Sequence, residues 1–565
     1  MPNFAYLQYA LFLAVVSLLV KPCGIYLYQV FSGGRTFLDF AFRPLEKFFY
    51  RLAGVDPDHS MHWKEYFFSF AIFGVFSILL LFLLLLVQRW MPLLNLNKEY
   101  LTTPLTLDLS FNTAISFATT TTWQSYGGEN TMSYWTQMVG LAAQNFLAGA
   151  AGLAVGIAFI RGITARARPG LGNFWVDLTR ALVWVLLPAS FVLSLVLVWQ
   201  GVPMNFLPYS VIHTLEGGVQ IIAQGPVAAL EAIKNLGTNG GGFFNVNGAH
   251  PFENPTPLSN FFEMLAIAVL PASLTYTFGR FAKDARQGWA LYGLMFGIFV
   301  MGIVITHWAE IQPSAALPSG IVSMGNLEGK ETRFGVGSSV LTAITTSNGA
   351  TGSYNAMHDS FSAIGGMIPL ANMLIGEIVF GGLGSGIYSM VFALLLAVFL
   401  AGLMVGRSPQ YLQKMIGPQE MKLVVVYAVI GPIVMLTLTG MALELKPGLD
   451  GLTTNTGPHG LTSIFYAYTS AFANNGQNFA GLNTNGPFYN VTLSIAMLAG
   501  RFALAVPALA LADALSGQSL RSISVGSLDT ADFSFSLFVF CVLILSSLLS
   551  FFPALCLGPL LEHLL

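Results

Sequence analysis

Charge is what this 565-residue chain has least of: 9% of its residues are Asp, Glu, Lys or Arg, against about a quarter in soluble globular proteins. That scarcity excludes a water-soluble globular body. The 24 basic and 26 acidic residues leave a net charge of -2, and no basic tract interleaved with aromatics occurs, so nucleic acid is not an expected partner. Cysteine is nearly absent as well. Cys23, Cys541 and Cys556 are odd in number, far apart and set in apolar surroundings, which gives neither a disulfide framework nor a metal-ligand spacing. His250, His307, His358 and His459 are scattered without a partner at ligand spacing. Nucleotide motifs are missing too. There is no GxxxxGK followed by Ser or Thr, the run Gly325-Asn-Leu-Glu-Gly329-Lys330 has the wrong spacing, and no Asp-Lys-Thr-Gly phosphorylation sequence occurs. The chain is expected to bind no nucleotide and to catalyse no covalent step.

What it has instead is hydrocarbon, with 55% hydrophobic residues and a mean hydropathy of +0.68. An apolar run of about 20 residues spans a ~30 Å bilayer core, and the runs predict an all-α polytopic membrane protein with ten spans. These are Phe4 to Val20, Phe67 to Val87, Tyr134 to Ile160, Trp175 to Trp199, Leu258 to Tyr276, Trp289 to His307, Phe361 to Met404, Leu423 to Met441, Tyr489 to Leu511 and Phe533 to Leu557. No basic residue precedes the first run, so it reads as a retained helix rather than a secretory signal. Of the 24 Lys and Arg, 17 fall in loops on one side, among them Arg35, Arg43, Lys47, Arg51, Arg168 and Lys414. The positive-inside rule makes that side cytoplasmic and puts both termini outside.

Between the spans a second pattern repeats, in which a short apolar helix runs into a polar, glycine- and amide-rich loop. The short helices are read at Leu109 to Ala118, Gly218 to Leu236, Val336 to Thr345 and Leu461 to Phe472. The loops after them are Thr119 to Glu129, Asn235 to Gly248, Thr345 to Tyr354 and Thr469 to Phe479. Irregular backbone at membrane depth survives only when buried in protein or lining an aqueous path. Four such loops predict four pseudo-symmetric helix, pore-loop, helix units with one extra helix at each end. The boundaries are 1–64 for the N-terminal helix and loop, then units at 65–168, 169–284, 285–414 and 415–520, and a C-terminal helix at 521–565.

Carbonyls from four loops can replace the hydration shell of a monovalent cation, and the C-terminal end of each short helix favours positive charge. Aligned on Thr238-Asn239-Gly240, the other filter triplets read as Ser347-Asn348-Gly349, Asn474-Asn475-Gly476 and Thr120-Thr121-Thr122, with Gln124 offering a side-chain oxygen beside the first. No acidic ring appears, which argues against a divalent-ion filter. Lys234, one turn before the second loop, is awkward for a cation path, though Glu231 offsets it. Gly381, Gly382, Gly384 and Gly386 should break the seventh span beneath the filter, as a gate or as close helix packing. Ionisable groups at membrane depth usually face a cavity and pair, so Glu377 and Arg501 are expected near each other there.

These motifs together, Gly237-Thr-Asn-Gly-Gly-Gly-Phe-Phe-Asn245, Asn254-Pro-Thr-Pro257, Thr346-Ser-Asn-Gly-Ala-Thr-Gly352 and Ala473-Asn-Asn-Gly-Gln-Asn-Phe479, resemble the KdpA family within the superfamily of Trk, Ktr and HKT potassium transporters. The resemblance runs over essentially the whole chain. It implies a bacterial inner-membrane subunit that binds extracytoplasmic K+ in its filter and passes it to a P-type ATPase subunit, KdpB, assisted by KdpC and the small KdpF. By the same resemblance, Glu377 and Arg501 occupy polar sites of the inner cavity. Two other readings stand beside it: a stand-alone Trk-type channel or symporter, and a membrane scaffold in which the loops are buried structure.

Overall fold

With no water to bond to, a backbone at membrane depth must satisfy itself, and the long apolar runs do so as helices. The computed structural model describes residues 2–91, 93–166, 170–312, 325–521 and 529–565. Arg168, counted above among the cytoplasmic cations, lies outside them. Among the described residues 10 helices are long and apolar enough to cross a membrane: Phe4–Phe31, Trp63–Trp90, Thr136–Thr164, Phe174–Trp199, Pro257–Ala282, Ala285–Glu310, Ser385–Val405, Pro418–Glu444, Pro487–Ser516 and Phe533–Leu564. All ten predicted spans are therefore present.

Departures from expectation lie at ends and breaks. The first helix continues through Lys21 to Phe31, because an exposed lysine can lay its stem along a helix without ending it. The loop that follows contains an unpredicted helix, Asp39–Ala53; it is amphipathic, with Phe40, Phe48 and Leu52 exposed. The short helix expected from Gly218 begins only at Val227, since Val219–Ile222 pairs with Ser210–His213 in an exposed hairpin. β-Branched residues there favour strand. A second small ribbon joins Gln410–Tyr411 to Lys414–Met415. The long segment from Phe361 is two helices, Ala363–Leu374 and Ser385–Val405.

Burial alternates along the chain. In the four helix pairs that flank the polar loops, the first member's most apolar stretch is 28%, 44%, 44% and 28% buried and the second member's 83%, 78%, 61% and 50%. The second members thus form an inner layer. Small residues let them approach: a methyl added at Gly156 would meet the Gly384 Cα at 2.5 Å, and one at Gly152 the Leu383 carbonyl oxygen at 2.8 Å. Between the members of each pair sits a half-length helix, Leu107–Ala118, Val227–Leu236, Gly335–Asn348 and Gly457–Ala473. Each ends in the buried interior, where its last carbonyls need partners.

Candidate functional site

The four loops leave their helices by the same backbone route. A left-handed residue comes first in each, at Thr120 (φ 66), Thr238 (φ 50), Ala350 (φ 48) and Asn474 (φ 57). The residue after it is not left-handed. Its amide donates back to the helix end in three of the loops, from Asn239 to the Lys234 carbonyl at 2.9 Å, from Thr351 to Thr346 at 3.1 Å and from Asn475 to Ser470 at 3.0 Å. Threonine is a poor fit to left-handed backbone, yet Thr120 and Thr122 (φ 48) both adopt it. Hydroxyl bonds hold them: Thr122 donates to the Asn239 carbonyl, and Thr120 donates to the Thr119 carbonyl.

The third positions of the loops meet in a closed ring. A methyl added at Gly240 would lie 2.0 Å from the Gly352 nitrogen, one at Gly352 2.8 Å from the Gly476 carbonyl carbon, and one at Gly476 1.8 Å from the Thr121 oxygen. Thr122 closes the circle through its bond to Asn239. Only glycine permits backbones this close at the left-handed Gly240 and Gly476.

The structure places the expected third triplet apart from this ring. Ser347 and Asn348 are the last residues of the half-length helix Gly335–Asn348 and Gly349 caps it. The residues at the ring are Ala350, Thr351 and Gly352, one turn further on. The likeness of Ser-Asn-Gly to Thr-Asn-Gly hid the shift; the glycine at the end of Ala-Thr-Gly was the signal for it. Ser347 instead accepts a bond from Asn372 at 2.9 Å. Gln124 reaches from the first loop to the second. Its side-chain oxygen accepts the Gly242 amide at 2.8 Å and its nitrogen donates to the Gly242 carbonyl at 3.0 Å, so both polar atoms are occupied.

Below the ring lies a cavity of about 200 Å³ whose lining includes all four left-handed residues, Thr120, Thr238, Ala350 and Asn474, together with Glu377, Gly382 and Arg501. Glu377 and Arg501 therefore share one cavity, but among the described residues no ion pair joins them. Each braces a loop instead. Arg501, in a π-helical turn at Ala499–Ala503, donates to the Thr120 hydroxyl at 3.2 Å and the Ala148 carbonyl at 2.7 Å; Glu377 accepts from the Asn475 side chain at 2.7 Å. The seventh-span break carries left-handed Gly376, Glu377, Phe380 and Gly384, and its Leu383 amide donates to the Thr238 hydroxyl at 2.8 Å. Gly384 sits at the break and packs against Gly152 and Gly156.

Among the described residues, then, ten spans surround four buried half-length helices that converge on one ring. The solved potassium transporter TrkH from Vibrio parahaemolyticus shares that fold, with a TM-score of 0.52 over 87% of this chain and 96% of its own, at 13% identity. Sequence is more specific. The family model described as "Potassium-transporting ATPase A subunit", KdpA, matches residues 10–564, and the chain belongs to that family. Relatives described as "Potassium-transporting ATPase potassium-binding subunit" include those of Methylobacterium nodulans, 49% identical over 99% of this chain and 97% of its own length, Rhodospirillum centenum, 48% identical with coverage of 99% and 97%, and Acidobacterium capsulatum, 46% identical with coverage of 99% and 98%.

Proposed function

We propose that this chain is the potassium-selecting subunit of an ATP-driven uptake pump in a bacterial inner membrane, with both termini on the periplasmic side. The observation that carries it is the ring: four loops of like backbone close on one another at buried helix ends, and their left-handed residues roof a shared cavity. In the first, second and fourth loops left-handed and ordinary residues alternate, which turns successive carbonyls to one side, and a ring of carbonyls replaces the water around a K+ ion entering from outside. The filter is then built from Thr120 to Thr122, Thr238 to Gly240, Ala350 to Gly352 and Asn474 to Gly476, and the ion passes into the cavity of Glu377 and Arg501. The residues at the broken seventh span, Gly381 to Gly386, form the gate.

The chain hydrolyses nothing in this scheme. The family's description as a subunit of a potassium-transporting ATPase supports a partner of the KdpB type as the hydrolytic subunit, accompanied by KdpC and KdpF. The test is K+ uptake at low external K+ by cells lacking other importers. The chain is expressed with and without that ATPase and its accessory subunits, and with an ATPase made inactive. Uptake that needs the active partner is the expected result. Uptake by the chain alone overturns it and leaves a channel or symporter of the TrkH kind; no uptake in either case leaves a scaffold.

A further inference from the structure

Three ionisable side chains behind the second loop, Glu231, Lys234 and Glu253, are fully cut off from solvent, and none of them lines the central cavity. A buried lone cation next to a cation path would oppose the ion, because charges interact strongly where the dielectric is low. Here two carboxylates sit on the ammonium. Lys234 Nζ is 2.7 Å from Glu231 Oε2 and 2.6 Å from Glu253 Oε2. The remaining carboxylate oxygens are also bonded: Glu231 Oε1 accepts from the Asn235 side chain at 2.9 Å, and Glu253 Oε1 accepts the Phe244 amide at 2.7 Å.

The backbone of Lys234 meanwhile holds the start of the same loop. Its carbonyl accepts the amides of Asn239 at 2.9 Å and Gly240 at 3.1 Å. One lysine thus grips the loop at both ends, at its entry through the main chain and at Phe244 through the side chain and Glu253. Gln124 grips Gly242 from the first loop, and the rest of the run needs a grip from behind. The first and fourth loops tie themselves with side chains, as Asn474 does to the Thr121 hydroxyl at 3.0 Å, but Gly240, Gly241 and Gly242 have none, and glycine loses the most freedom on being ordered. Glu253 fits closely beneath them, where a methyl added at Gly242 would meet its Oε1 at 2.6 Å.

We propose that the buried Glu231–Lys234–Glu253 cluster is a positioning device that sets the ion selectivity of the second loop by holding its glycine run at the ring. The inference rests on reading that ring as a K+ filter. It is tested on the full chain with its ATPase partners, by K+ uptake in competition with Rb+ and Na+. Glu253→Gln removes the charge that engages Lys234; Glu253→Asp keeps the charge and shortens its reach to Phe244, and it decides the matter if the first variant fails to reach the membrane. In variants present at the wild-type level, the K+ concentration for half-maximal uptake should rise roughly ten- to hundredfold, the loss typical when the support behind a ligand shell is removed, and discrimination against Rb+ should fall. A merely structural role lowers the amount of protein or the maximal rate and leaves half-saturation and discrimination unchanged, and that result overturns the proposal. Absence of K+ uptake by the wild-type assembly is a different failure: it removes the filter reading itself.

Discussion

At the scale of single residues the ring is a matter of missing methyl groups. Gly476 is left-handed at φ 84, and a methyl there would overlap the Thr121 carbonyl oxygen at 1.8 Å. Neither atom can yield, since the methyl is fixed to the Gly476 Cα and the oxygen belongs to the Thr121 backbone. Gly476→Ala is therefore expected to abolish high-affinity K+ uptake in the assembled pump while the protein still reaches the membrane, as an immunoblot of membranes beside an uptake assay would show. Gly293→Ala is the control. It lies in the sixth span with nothing within 4 Å of an added methyl, and its uptake should match the wild type. Equal loss in both variants, or none in Gly476→Ala, would contradict the ring. The same scale shows why some site residues were legible and others were not. Thr238-Asn239-Gly240 and Asn474-Asn475-Gly476 announce themselves because left-handed backbone recruits glycine and asparagine. Ala350 occupies the equivalent conformation at φ 48 with a residue that carries no such mark.

At the scale of elements the seventh span is where local sequence and global packing meet. Four glycines between Gly381 and Gly386 forecast a break, and the helix is interrupted between Leu374 and Ser385. Those glycines could not reveal what the broken segment touches. Leu383 bonds Thr238, and Glu377 bonds Asn475, contacts between residues far apart in the chain. Glu377 and Arg501 line one cavity without an ion pair between them among the described residues, for a related reason. Polar loop atoms were closer to each charge than the opposite charge was, and buried charges settle for hydrogen bonds where these are at hand. Gly384 supplies the test at this scale. At φ 109, with Gly152 O only 2.2 Å from where a methyl would sit, Gly384→Ala adds backbone strain and overpacking together. A loss of about 3 kcal/mol or more is expected, read as a lowered melting temperature of the purified assembly in detergent. An unshifted melting temperature would show that the break and the third span are not in contact.

Across the whole molecule the two ends of the chain are fastened differently. The first helix packs along the fifth span, where Thr277 bonds the Gly24 carbonyl at 3.2 Å. The last helix is pinned by a histidine. His459, in the first turn of the fourth half-length helix, bonds Asp359 at 2.7 Å and Glu562 at 2.8 Å, so one ring joins the segment after the third loop, the fourth loop's helix and the C-terminal turn. Burial alone would lower the imidazole's basicity, but the hydrogen bonds to Asp359 and Glu562 and their charges outweigh it and raise its pKa to about 9 from the ordinary 6.5. Because the folded value lies above the unfolded one, the charged ring stabilises the fold. That contribution is whole below pH 6.5 and is lost as the pH climbs through about 9. The melting temperature of the detergent-solubilised chain should therefore fall between those limits. His459→Gln, which keeps one hydrogen bond but carries no charge, should start lower and lose most of the slope. A wild-type profile that is flat across this interval, or a variant profile parallel to it, would mean that the C-terminal helix is held by its apolar packing and not by the charged ring.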